Sequence, residues 1–285
     1  MKLTGRRTST NVDDRRRSGG AAKAGMGIGG IVIAALLAWI FGGSPTEVLK
    51  NVEIPSITSN GQAYTPTPEE EELATFASQI LAGTEDVWAA EFKKMGRTYT
   101  PPKMVLFHGS VQSGCGGATA SSGPFYCSAD QSVYLDLEFF TSMKQQLGAD
   151  GDFAYAYVIA HEVGHHVQYL LGTLDKAHSQ MSRLSEEESN KISVRLELQA
   201  DYYAGVWAKH DNEMFHSLEA GDIEEGLRVA SVIGDDYLQK KARGYAIPES
   251  FNHGTSAQRA RWLQRGISSG KPEDGDTFSP AYTSL

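Results

Sequence analysis

The groups best suited to chemistry lie in the run YAYVIAHEVGHHVQYLLG, residues 155–172. On a helix, positions i and i+4 are about 40° apart around the axis, so His161 and His165 project from one face and can meet one ion. Glu162 sits about 100° round from His161, beside such an ion but off the line of its ligands. There a carboxylate can take a proton from a water on the metal without displacing it. That is the physical sense of HExxH, here HEVGH. The plain alternative is a buried helix with satisfied histidines. It accounts for one buried imidazole, but not for three polar groups following the apolar stretch AYVIA.

A catalytic zinc takes three protein ligands and keeps one position for water. RLELQADYYAG, residues 195–205, offers the third: Glu197 and Asp201 are again four apart on one helical face. Glu197 would complete a two-histidine, one-carboxylate site, and Asp201 would hydrogen-bond the far nitrogen of a ligand histidine and fix its tautomer. Taken singly, Glu197 also fits a solvated charge paired with Arg195, and Asp201 an ordinary surface aspartate. Asp175, His178, His210 and His216 compete for the third position, but none combines a helical setting with a partner four residues on. His166 points away from His165 and reads as packing or support. Tyr155, Tyr157, Tyr202 and Tyr203 read as core, and His108 as structural. Gly164, inside the motif, costs about 1 kcal/mol of helix propensity; a close neighbour at that turn would explain it.

These groups need helices to hold them. The periodicity predicts helices over about 152–171, 185–210, 222–241 and 255–265, with Asp222 as a cap, Thr255 and Gln258 in capping-box spacing, and Gly266 as a stop. Earlier, Thr67 and Pro68 open a helix with Glu69 to Glu72 at its positive end, and TEDVWAAEFKKMG reads as a second helix stopped by Gly96. PKMVLFHG and SVYLDLEFF are the strand candidates. Strands first and helices after give an α+β class, mainly helical with a small sheet, rather than a wound parallel sheet. The strand SVYLDLEFF is the expected edge for an extended substrate.

The 285 residues are 40% hydrophobic and 21% charged, enough for a sizeable core. The net charge of −9 is uneven, with residues 1–25 near +5 and the remainder near −14. An acidic body argues against nucleic acid as a partner. Residues 24–43, AGMGIGGIVIAALLAWIFGG, carry no charge and as a helix span the roughly 30 Å of a bilayer core. The positive-inside bias then gives a single-pass membrane protein: a basic cytoplasmic head over 1–23, a transmembrane anchor over 24–43, and the rest outside. A cleaved signal peptide is the rival, though the cleavage pattern is weak. A Pro/Thr/Ser-rich linker over 44–66 leads to a folded domain over 67–270 and a loose tail over 271–285. Cys115 and Cys127, the only cysteines, flank a short Gly/Ser-rich loop and form a disulfide in an oxidising compartment.

HEVGHHVQ followed by ELQAD resembles the HExxH plus ExxxD pattern of glutamate-type zincins. Together with the apolar N-terminal segment, SGCGGA, GPFYC.AD..VYLDL and HGTSAQR, the chain closely resembles the bacterial neutral zinc metallopeptidase family over nearly its whole length. The resemblance implies a zincin-like fold, one Zn²⁺ held by His161, His165 and Glu197, Glu162 as the base, and a polypeptide substrate. In NHGTSAQRARW, His253 and Arg259 resemble a downstream pair in membrane-bound zinc peptidases whose histidine helps bind the reacting carbonyl. The alternative for that pair is to tie the last helix to the body. The alternative for the whole protein is a membrane-tethered binding or assembly protein whose zinc is structural, closed by a fourth ligand such as His178 or His253.

Overall fold

The computed structural model describes residues 1–17, 64–119 and 122–285. Its elements in chain order are β1 (Val12–Asp14), α1 (Pro68–Lys94), β2 (Lys103–Phe107), β3 (Ser110–Ser113), β4 (Gly116–Thr119), β5 (Phe125–Cys127) and β6 (Ser132–Asp136). Helices follow: α2 (Glu138–Leu147), α3 (Asp152–Leu171), α4 (Thr173–Met181), α5 (Glu186–Phe215), α6 (Asp222–Val232), α7 (Asp235–Arg243) and α8 (Ser256–Ser269). The class is α+β, mostly helical with small sheets. One sheet has the order β1-β2-β6-β5, with the first three strands parallel and β5 antiparallel; β3 and β4 pair separately.

The core gathers around α3 and α5, which lie against each other and bury Phe153, Tyr157, Val163, Leu198, Tyr202 and Trp207. α3 matches its predicted span because Gly172, at φ +79°, ends it. The expected capping box of Thr255 with Gln258 forms, and Thr67, expected as a cap, forms one with Glu70 as well. Thr67 opens a single 27-residue helix, however, not two. Gly83 stays helical inside it because α1 runs close past Arg6 and Asp211; a Cβ there would lie 2.6 Å from Asp211 Oδ1 and 2.7 Å from Arg6 Nη2.

Other boundaries move for local reasons. SVYLDLEFF is strand only to Asp136, whose Oδ1 accepts from the Glu138 N–H and so starts α2. β6 is flanked by β2 and β5, so it is an interior strand; the free edge on that side is β5. The predicted 222–241 helix is broken between α6 and α7, where Asp235 N–H turns to the Gly254 carbonyl. Asp222 does not cap by its side chain in the expected way; Gly221 is the cap residue, and Asp222 accepts from Glu219 N–H. α5 continues to Phe215, and α8 runs past Gly266 to end at Gly270.

The two ends of the chain depart most from expectation. The tail is packed: Arg195 donates to the carbonyls of Thr277, Phe278 and Pro280, Gln199 donates to Gly275 O at 2.8 Å, and Thr277 and Leu285 are buried. Residues 1–17, expected as a separate head, belong to the folded body. β1 extends the sheet in parallel register, Val12 opposite Met104, and Arg6 forms a fork on Asp211, with Nη2 to Oδ1 at 2.7 Å and Nη1 to Oδ2 at 3.2 Å. Arg17 pairs with Glu71 at 2.6 Å, while Tyr64 hydrogen-bonds Glu70. Residues 17 and 64 therefore meet at the first turn of α1. The expected anchor over 24–43, and the linker as far as residue 63, lie outside the described residues. Among the described residues no helix is long and apolar enough to cross a membrane.

Candidate metal centre

α3 and α5 pack closely because Gly164 has no side chain. A Cβ there would lie 2.9 Å from Ala200 O and 3.1 Å from Ala200 Cα, so the glycine inside HEVGH is the contact point with the second helix. This approach brings His161, His165 and Glu197 together, with ligand atoms all within 4.8 Å of one another. Each Glu197 oxygen faces one imidazole, Oε2 at 3.2 Å from His161 Nε2 and Oε1 at 3.4 Å from His165 Nε2. A tetrahedral ion with bonds of about 2.0–2.1 Å separates its ligand atoms by about 3.3 Å. The donor set and its spacing fit zinc.

The far side of each ring is also held. His161 Nδ1 donates to Asp201 Oδ1 at 2.8 Å and His165 Nδ1 to Gln168 Oε1 at 2.9 Å, which leaves both Nε2 lone pairs for the shared point. Asp201 is fully buried and takes three further bonds: Tyr157 O–H at 2.6 Å, Arg259 Nη2 at 2.9 Å and Arg259 Nε at 2.9 Å. Burial works against its charge, but Arg259 and His161 outweigh burial and hold Asp201 down to about 2. Burial likewise opposes charge on His161, yet Asp201 and Glu197 lift the metal-free ring to about 10. Glu197 is held well below the usual carboxylate range by His165 and His161, against burial. Two carboxylates, Asp201 and Glu197, thus face the one imidazole of His161, an arrangement that favours a cation at this point.

Glu162 is buried on α3 next to His161, and its carboxylate makes no hydrogen bond to another described residue. His253 lies away from the ligand cluster but within electrostatic reach of Glu197. Its ring is fixed by Asp235: Nδ1 donates to Oδ1 at 3.2 Å, while the backbone N–H groups of His253 and Gly254 donate to Oδ2 at 2.7 and 2.9 Å. The His253 side chain keeps 39% exposure. Arg259 does not pair with His253; it serves Asp201. Neither His178 nor His253 joins the three-residue cluster, although burial and the charge of His165 lower the pKa of His178.

His166, fully buried, donates from Nε2 to Thr100 O at 2.7 Å and accepts the Tyr126 hydroxyl at Nδ1 at 2.9 Å, tying the metal helix to edge strand β5. Cys115 and Cys127 form the expected disulfide, which pins the end of β5. Sequence reasoning missed Gln168, Tyr157 and Asp235. Tyr157 stands four residues before His161 on the same face, a visible signal; Gln168 sits three after His165; nothing local marks Asp235.

A helix bearing HEVGH, laid against a second helix that supplies a glutamate and the aspartate behind a ligand histidine, defines a candidate zinc centre of the metallohydrolase type. The chain belongs to the family described as "Putative neutral zinc metallopeptidase", which it matches over residues 1–278. It is similar to the uncharacterized protein YpfJ of Escherichia coli strain K12, 46% identical over 98% of this chain and 99% of that one. It is also similar to the uncharacterized proteins Mb2605 of Mycobacterium bovis and Rv2575 of Mycobacterium tuberculosis, each 41% identical over 67% of both chains. No solved structure matches.

Proposed function

We propose that this protein is a zinc-dependent metallopeptidase that hydrolyses peptide bonds in extended or unfolded polypeptide. The observation that carries this reading is the convergence of His161 Nε2, His165 Nε2 and both Glu197 oxygens on one point, with Glu162 one residue along the same helix. Zinc at that point, held by His161, His165 and Glu197, supplies Lewis acidity to a water and to the substrate carbonyl. Glu162 takes the proton of the attacking water and passes it to the departing amine. His253, steadied by Asp235, donates from Nε2 to the carbonyl oxygen as it gains charge. Asp201 and Arg259 keep His161 in the tautomer whose Nε2 is free to bind. The edge available to a strand-like substrate is β5, which Tyr126 and His166 attach to the metal helix.

Membrane attachment through the apolar stretch 24–43 belongs to the same reading, at the cytoplasmic membrane of a bacterium. The head constrains it. Because residues 17 and 64 meet at one turn of α1, a single crossing between them would have to strip β1 from β2. The reading therefore places residues 1–17 and the catalytic body on the same side of the membrane. The disulfide favours the extracytoplasmic side.

The alternative, a tethered protein with structural zinc, needs a closed site, and among the described residues the cluster offers three ligands and an adjacent carboxylate with no structural task. The test uses the full chain in detergent with a peptide library. Glu162→Gln should keep its zinc and lose turnover by about 10²–10⁴-fold, and a chelator should abolish turnover in the parent protein. Hydrolysis that survives both treatments would reject the reading.

A further inference from the structure

We propose that His108, Asp136 and Glu138 form a second divalent-cation site, separate from the HEVGH centre and suited to a first-row ion such as Zn²⁺. Among the described residues, two groups of His, Asp or Glu bring three ligand atoms within 4.8 Å of one another, and this is the other one. It shares no residue with the first, and it does not depend on the peptidase reading.

The fold builds the site from the strand register. β2 and β6 are adjacent and parallel, with Phe107 opposite Asp136, so both strands end at the same level. His108 is the next residue after β2, and Glu138 is the first residue of α2, two beyond Asp136. Ligands commonly bind at the carboxyl ends of neighbouring parallel strands, where the chain turns and side chains converge. Asp136 is 3% exposed and is held in place by Gly109 N–H on Oδ2 at 2.8 Å and Glu138 N–H on Oδ1 at 3.0 Å. Both partners are neutral backbone groups. No lysine or arginine among the described residues forms an ion pair with this buried carboxylate, although burying a charge without a compensating one is costly. A bound cation would supply that charge.

The other two ligands are placed to share it. The His108 ring lies flat on Tyr64, with centroids 3.7 Å apart and planes 10° from parallel, so stacking rather than a hydrogen bond sets its plane. Its nitrogens have no hydrogen-bond partner among the described residues, and neither does the exposed Glu138 carboxylate. One imidazole with two carboxylates favours zinc or manganese over calcium and magnesium, which prefer all-oxygen shells. Solvent-exposed His108 and Glu138 leave room for water to complete the coordination. Through Tyr64 such an ion would fasten the end of the parallel pair to the residues just before α1.

The test is metal stoichiometry, which requires no activity. Full-length protein is stripped with chelator, equilibrated with buffered micromolar Zn²⁺, and assayed for bound zinc per chain. The parent should exceed the His108→Ala/Glu138→Gln variant by one equivalent, and should separately exceed a His161→Ala/His165→Ala variant by one. His108 and Glu138 are surface residues, and a near-UV circular dichroism spectrum matching the parent would verify the fold of their variant. A second variant, Glu138→Gln alone, should weaken zinc binding at one equivalent by at least tenfold. Equal zinc content in the parent and the folded double variant would overturn the site. Loss of an equivalent in the His161/His165 variant alone bears on the HEVGH centre and leaves this site refuted.

Discussion

Arg259 meets Asp201 through two parallel bonds, Nε to Oδ2 and Nη2 to Oδ1, both 2.9 Å, and the same Oδ1 receives His161 Nδ1 at 2.8 Å. A guanidinium on α8 thus sets the orientation of a metal ligand on α3 through a carboxylate on α5. Asp201→Asn keeps the shape but weakens the acceptor, and should lower zinc affinity by about 10–100-fold in a competitive chelator titration. Arg259→Ala leaves a buried carboxylate short of its main counter-charge and should cost about 3–5 kcal/mol of stability by denaturant unfolding. Arg259→Lys cannot reproduce the fork and should recover only part of that loss. Unaltered zinc affinity in Asp201→Asn would show that His161 needs no such support.

Gly164→Ala should separate two effects that usually agree. Alanine raises helix propensity by about 1 kcal/mol, which by itself would stabilise α3. Here its Cβ would press on Ala200 O at 2.9 Å, so the helices must move apart or the contact must strain. Zinc affinity should fall and the unfolding midpoint should drop with it. A more stable variant with full affinity would mean that the two helices are free to shift without harm to the site.

His166 gives a pH dependence with a definite sign. Burial lowers its pKa to about 4 from an ordinary value near 6.5. With the folded value depressed, the unfolded chain binds the proton more readily between those two values. The neutral ring's contribution is therefore complete above about pH 6.5 and is lost as pH falls toward about 4, by up to about 3 kcal/mol. Urea unfolding of metal-free protein at several pH values should show this slope, and His166→Gln should flatten it over the same window. A slope of equal size in the variant would assign the effect to other groups.

Removing the head tests whether it is part of the body. Asp211 is 1% exposed on its side chain, and Arg6 is its fork partner, also stacked over Phe215 at 3.7 Å. Arg6→Ala should destabilise by about 3–5 kcal/mol, and deletion of residues 2–17 should do more by uncovering the edge of β2. Thermal unfolding of the full chain and the two variants would measure this. Equal midpoints in all three would mean that β1 does not dock in solution.

The sequence by itself carried the local arrangement. HEVGH and ELQAD each place two ligating or supporting groups on one helical turn, and helical spacing is a short-range property that residues a few positions apart determine. The cap at Thr67, the capping box at Thr255 and the end of the HEVGH helix near residue 171 were legible for the same reason, as was the short disulfide loop. Glycine inside the motif even announced a close neighbour without saying which. What the sequence left open required residues distant along the chain. Asp235 steadies His253 from 18 positions away, Arg259 serves Asp201 from 58 away, and Arg6 reaches Asp211 across 205. The head looked separate because an uncharged stretch follows it and its arginines match the charge pattern of a cytoplasmic flank. Only the packed structure gives those arginines their carboxylates and turns Val12–Asp14 into a sheet strand. β6 read as an edge for a similar reason: its own alternation is blind to what lies on either side. Strand neighbours and ion-pair partners are fixed by which surfaces the whole chain buries together, and that choice is made by tertiary packing.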